Sequence, residues 1–200
     1  MNKRVVKDAL ILTAFTLVLG FILGGVHEIT KERIEASELA AKQEAYRVVF
    51  PEADSFVEDE EIDLVDATDA LAMLGFNDTI DELMYALDAS GEQLGYVVTV
   101  TAKDGSQSSI TFAVGIENDR TVNGYSITEI SETPGLGDKA KLDEFNDQFE
   151  EVDVDSFEVV RDGKDEDEEI QAITGATITS KAVTNGVNAV LEFYDHFLAG

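Results

Sequence analysis

GYVVTVT at residues 95–101, SITFAVGI at 109–116 and TVNGYSI at 121–127 are the runs on which the fold of this chain turns. Val, Ile, Thr, Tyr and Phe dominate them, and β-branched and aromatic side chains suit a pleated, half-buried surface. LMYAL at 83–87 is a fourth run of the same kind. The turn signals Ser90-Gly91, Asp104-Gly105 and Asn118-Asp119 separate the runs, which predicts antiparallel hairpins. Helical patterns follow. Residues 139–150 set Leu142, Phe145 and Phe149 on one helical face. Residues 181–198 carry Val183, Val187, Val190, Leu191, Tyr194 and Phe197 at i, i+3/i+4 spacing, an amphipathic helix. A short strand is expected at 157–160. Strands first and helices around them define an α+β fold, an antiparallel sheet with flanking helices. The acidic segment 51–90 is poorly assigned, and its 54–81 stretch carries no motif.

Upstream of the sheet the composition changes abruptly. Residues 9–26 hold no charge, and Thr13 and Thr16 are their only hydrogen-bonding side chains. Such a run is long enough to cross a bilayer as a helix. Lys3, Arg4 and Lys7 outnumber Asp8 on its N-terminal flank, which keeps residues 1–8 as a cytoplasmic tip and places the rest outside. A cleaved signal peptide fits less well, because the apolar run exceeds the usual ~7–15 residues and no A-x-A-like site follows it. Residues 27–50 continue as a helical stalk rich in Ala, Glu and Lys, which Pro51 ends. Thr13, Thr16, Gly20, Gly24 and Gly25 are small enough for partner helices in a membrane to approach closely.

The 200 residues carry 42 acidic and 14 basic side chains, a net charge of −28. All but one of the acids lie beyond Val26, so the outer part alone is near −30. That excess excludes nucleic acid as the partner, since phosphate contacts need Lys and Arg. The absence of Cys excludes disulfides, Fe–S clusters, thiolate zinc sites and cysteine nucleophiles. His27 and His196 alone cannot build a histidine-rich metal centre. The acidic clusters at 58–61 and 165–169 lack calcium-loop spacing and read as solvated faces. No GxSxG, HExxH or GxGxxG motif occurs, so no catalytic residue is assigned.

Two loops stand out from this scaffold. Glu132-Thr133-Pro134-Gly135-Leu136-Gly137 combines two glycines and a proline, an irregular backbone that can approach a flat ligand closely. Thr174-Gly175-Ala176-Thr177-Ile178-Thr179-Ser180 runs into the last helix, where free backbone N–H groups and the helix dipole favour an anion. Thr177 and Thr179 add hydroxyls, and Lys181 adds a positive charge. Capping of the helix by Thr179 or Ser180 accounts for the same residues equally well. Residues 170–180 are uncharged, an exception in so acidic a chain.

Thr174-Gly175-Ala176-Thr177, followed by Ile178-Thr179-Ser180-Lys181, resembles the flavinylation motif of the FMN-binding domain family. Residues 132–137 resemble that family's E-T-P-G-L-G signature, which lies against the flavin ring. Gly95-Tyr96, Val114-Gly115-Ile116 and the 37-residue step from Gly137 to Thr174 fit its order of elements, and the resemblance spans about 91–198. The family includes the G subunit of the Rnf complex and the C subunit of the sodium-pumping NADH:quinone reductase, and the chain length fits the former. The resemblance implies an FMN-binding domain at 91–200, with FMN joined to Thr177 as a phosphoester by a flavin transferase. It implies an electron carrier in a membrane ferredoxin:NAD oxidoreductase that moves ions, lying outside the membrane beside subunits D, A and E. One position departs from the pattern: Gln171 stands where the family carries an Asp that helps the transferase recognise its target. Two other readings remain open on the residues alone. One is a stand-alone membrane-anchored extracellular flavoprotein reductase; the other is a non-redox ectodomain in which Thr177 only caps a helix.

Overall fold

The structure, a computed structural model, describes residues 3–199. Met1 and Asn2 of the expected tip lie outside the described residues, as do the side chains of Lys3 and Arg4. Helix α1 runs from Lys3 to Val49, and the chain divides into one compact unit through Ala41 and another from Lys42. Within the first unit, Lys7–Lys31 has a mean hydropathy of 2.4 and is long and apolar enough to cross a membrane. Thr13 and Thr16 donate their hydroxyls to the carbonyls of Ala9 (2.9 Å) and Leu12 (2.5 Å), one turn back. That internal pairing is what an apolar solvent demands of a polar side chain.

The second unit is built on a six-stranded antiparallel meander: β1 (Ser55–Glu58), β2 (Thr79–Leu87), β3 (Gln93–Ala102), β4 (Ile110–Glu117), β5 (Val122–Glu129) and β6 (Glu150–Val152). Helix α2 (Leu64–Leu74) connects β1 to β2; the Asp63 carboxylate caps it by accepting from the Val65 (2.9 Å) and Asp66 (3.3 Å) N–H groups. The acidic stretch without a motif, 54–81, thus supplies β1, α2 and the start of β2. β7 (Glu158–Val160) and β8 (Glu169–Gln171) pair in parallel, and helix α3 (Thr177–Phe193) closes the fold.

Alternation along the central strands splits two cores. Val98, Val100, Phe112, Val114 and Ile116 face α3, whose Val183, Val187, Val190 and Leu191 are buried against them. Val97, Ala113 and Ala86 face the other way and are covered by Ala45, Tyr46, Val49 and Phe50 at the end of α1. Tyr46 donates to Glu82 Oε2 at 2.5 Å, and Lys42 Nζ reaches the same oxygen at 2.9 Å. Both faces of the sheet are therefore covered.

Two helices differ from expectation. The helix predicted over 139–150 is three short turns, Gly137–Lys141, Asp143–Asn146 and Asp147–Phe149. Its break falls at Leu142, whose backbone is extended and whose side chain is exposed, while Phe145 and Phe149 are buried as predicted. The Ala140 carbonyl, which a continuous helix would use internally, instead accepts the buried Tyr125 hydroxyl at 2.5 Å. Helix α3 begins four residues earlier than predicted and ends at Phe193, where a wider turn, Tyr194–Leu198, takes over.

One buried carboxyl makes the fold sensitive to pH. Asp78, between α2 and β2, is 5% exposed, and burial, reinforced by nearby Asp104 and opposed by Lys103, pushes it up to about 6. An acid whose folded value lies above its unfolded 3.8 favours the folded state when protonated. Its contribution is present below 3.8 and is lost as pH rises through about 6. Asp78→Asn is expected to stabilise the chain by about 1–2 kcal/mol at pH 7. That advantage should vanish near pH 4, as read by paired denaturant titrations.

Candidate functional site

The local hydrogen bonding explains the backbone at the start of α3. Gly175 takes a φ of +81°, a conformation open to glycine, and turns the chain so that Ala176 precedes the helix without a side-chain cap. The Ser180 hydroxyl donates to the Ala176 carbonyl (3.0 Å) and accepts from the Ile173 N–H (3.0 Å), fastening both ends of the turn. Neither Thr179 nor Ser180 is the N-cap: both sit inside the first turn of the helix, which begins at Thr177. The first helical bond runs from Ser180 N–H to Ala176, so the N–H groups ahead of it are left to the helix end.

The two loops meet here. Ser106, Glu132, Thr133, Leu136, Gly137, Gly175, Ala176, Thr177, Ile178 and Thr179 line one cleft of about 310 Å³. A Cβ added at Gly137 would lie 2.6 Å from Thr179 Oγ1 and 2.7 Å from Glu132 Oε2, so only glycine packs this closely against both side chains. Thr179 is fully buried, and its Oγ1 is the one enclosed side-chain oxygen or nitrogen among the described residues without a hydrogen-bond partner. A buried hydroxyl without a partner in the wall of a cleft is a polar group that a bound ligand could satisfy. Leu136 and Ile178 give the rim apolar, exposed side chains. Thr177 is half-buried at the first helical position, and its hydroxyl makes no hydrogen bond within the chain.

Other sequence-predicted residues lie around the cleft without lining it. Thr174 faces an adjacent cleft of about 360 Å³ shared with Lys139, Gln148 and Gln171. Pro134 and Gly135 are exposed, and the Gly135 N–H donates to Asp138 Oδ1 at 2.6 Å. Ser180 is buried and committed to the turn, and Lys181 is exposed one residue further along α3. Ser106 is a lining residue that the sequence does not announce. It belongs to the β3–β4 connection and is brought in through its backbone, which leaves no mark on side-chain patterning.

The comparisons with known proteins agree with this geometry. Residues 105–192 match the FMN-binding domain family, and residues 1–49 match the family described as the RnfG N-terminal region. The fold is similar to that of the C subunit of the Na+-translocating NADH-quinone reductase from Parabacteroides distasonis. That likeness has a TM-score of 0.52 at 20% identity, over 74% of this chain and 79% of the other. The chain therefore carries an FMN-binding domain on a fold shared with that reductase component. It is 34% identical to the G subunit of the Na+-translocating ferredoxin:NAD+ oxidoreductase complex of Acetobacterium woodii, over 97% of this chain and 93% of that one. It is 33% identical to the G subunit of the proton-translocating ferredoxin:NAD+ oxidoreductase complex of Clostridium ljungdahlii, over 94% and 91%. This chain belongs to the RnfG family, the G subunits of the Rnf ion-translocating oxidoreductase complexes.

The cleft fits the cofactor of that family. A helix start with free N–H groups suits a phosphate, and Thr179 holds an unused hydroxyl beside Gly137 in the wall of the cleft. The apolar rim of Leu136 and Ile178 suits a flat aromatic ring.

Proposed function

We propose that this chain is the electron-carrying subunit of a ferredoxin:NAD oxidoreductase complex that moves ions across a membrane, with FMN held on the outer side through Thr177. The observation that carries this reading is the meeting of the 132–137 and 174–180 loops in one cleft, with a free hydroxyl at Thr177 and an unpartnered one at Thr179. When bound, FMN supplies reversible electron transfer, and the protein supplies position and electrostatics. The Thr177 hydroxyl oxygen is the point of attachment, placed by a flavin transferase that esterifies it to the phosphate of FMN. A phosphodiester keeps one negative charge, which the N–H groups at the start of α3 and the nearby Lys181 offset. Thr179 keeps an unpartnered hydroxyl buried in the wall of the same cleft, and Leu136 and Ile178 shield the ring from water. Outside the cytoplasm a lost FMN is not replaced, so a covalent link keeps the site filled whatever its affinity.

Lys3, Arg4 and Lys7 ahead of the apolar segment hold the N-terminus in the cytoplasm, which puts the cleft outside. Subunits D, A and E are the partners this reading implies. The test is intact-mass and peptide mass spectrometry of the full chain matured with a flavin transferase. The expected result is a gain of FMN less one water on the peptide that contains Thr177. An unchanged mass, or the gain on another peptide, overturns the reading.

A further inference from the structure

We propose that Glu132 is a positioning residue: its buried carboxylate clamps the β3–β4 connection onto the 132–137 loop and makes Ser106 a wall of the FMN cleft. The inference rests on the cleft being the FMN site, and it assigns a role to residues of this chain that do not carry the flavin.

Glu132 is 8% exposed, and no described basic side chain forms an ion pair with it. Its Oε1 accepts from the Ser106 N–H at 2.6 Å and the Gln107 N–H at 3.2 Å. Those two N–H groups are the donors the carboxylate has within the described residues, and bonds to a charged acceptor are the strong ones. The connection depends on them as much as Glu132 does. Residues 103–109 make no long-range backbone hydrogen bond outside the ladder, and the other long-range tie at this turn is Asn77 Nδ2 to Asp104 Oδ1, 2.9 Å, on the surface. The second oxygen of Glu132 and Thr179 Oγ1 both lie against Gly137, where an added Cβ would meet them at 2.7 and 2.6 Å. A single side chain thus reaches from the hairpin tip to the floor of the cleft.

The experiment compares Glu132→Ala, which frees both N–H groups, with Glu132→Gln, which keeps one carbonyl acceptor in the same place. Amide hydrogen exchange on the flavin-free full chain reads the clamp without any flavin. In Glu132→Ala the Ser106 and Gln107 amides should exchange about ten- to a hundredfold faster, the loss of a hydrogen bond to a charged group. In Glu132→Gln they should stay within a fewfold of native. Iodide quenching of flavin fluorescence on the matured chain then reads the wall. It should rise severalfold in Glu132→Ala and return towards native in Glu132→Gln. Native-like exchange in Glu132→Ala overturns the clamp, and faster exchange with unchanged quenching overturns the role of Ser106. A global rise in exchange in Glu132→Ala marks a folding defect, and the Glu132→Gln comparison, with native exchange and native quenching expected, then decides. If the native chain takes up no flavin, the cofactor reading fails instead, and the exchange result stands by itself.

Discussion

Thr177→Ala is expected to give a chain that folds and melts as the native one does, yet shows no flavin fluorescence after denaturing electrophoresis. The side chain is half-buried at the first position of α3 and makes no hydrogen bond within the protein, so its removal breaks no internal contact. Alanine is the better helix former, and a surface change of this kind is worth within about 0.5 kcal/mol. The effect on flavin attachment is all or none, because no other hydroxyl of the 174–180 loop can take over. Thr179 Oγ1 is enclosed, the Ser180 hydroxyl is committed to Ala176 and Ile173, and Thr174 faces the adjacent cleft. Thr177→Ser keeps the nucleophilic oxygen and should restore the fluorescent band. A band that survives in Thr177→Ala would place the flavin elsewhere; a matching loss of melting temperature would make Thr177 a structural residue.

The elements that can be read along the chain are those whose local chemistry and tertiary role coincide. The runs at 95–101, 109–116 and 121–127 are strands because alternate residues face two covered sides, and β-branched side chains serve both. The helix expected over 139–150 is interrupted at Leu142, and the contact that goes with the break is remote: Tyr125, on β5, donates to the Ala140 carbonyl. β1 has no signature because most of its residues are exposed, so no alternation of apolar side chains marks it. The parallel pairing of Glu158–Val160 with Glu169–Gln171 is not legible, since its strands are joined by an acidic connection whose turn signal, Asp162-Gly163, says nothing of which strand pairs with which. At the site the same division holds. Glu132–Gly137 and Thr174–Thr177 are legible because backbone shape itself requires Gly and Pro there. Ser106 is not, because the cleft recruits it through a peptide N–H that every residue but proline owns.

Gly115→Val should be strongly destabilising, and it tests how the end of α1 is joined to the sheet. Gly115 sits mid-strand in β4, where a glycine weakens a sheet unless a neighbouring backbone comes close. The neighbour here is the last turn of α1. A Cβ at Gly115 would lie 2.8 Å from Val49 Cβ, 3.0 Å from the Val49 carbonyl oxygen and 3.2 Å from Phe50 Cε2. Two of these belong to backbone or its first side-chain carbon, so no rotamer change relieves them. The helix end must move instead, and with it the covering of Val97, Ala113 and Ala86. Overpacking of this kind costs about 1–3 kcal/mol for the first added carbon. The two further methyl carbons of valine carry the change past simple strain, towards release of the 42–50 segment. Gly115→Val should therefore lower the melting temperature, and new cleavage should appear beside Arg47 under limited trypsin digestion. Flavin attachment should persist, because Thr177 and the cleft lie at the start of α3, which packs on the opposite face of the sheet. Unchanged melting and an unchanged digestion pattern would mean that the helix end does not hold the sheet face it covers. Loss of flavin together with stability would mean that the two faces fold as one and that the cleft depends on the α1 contact.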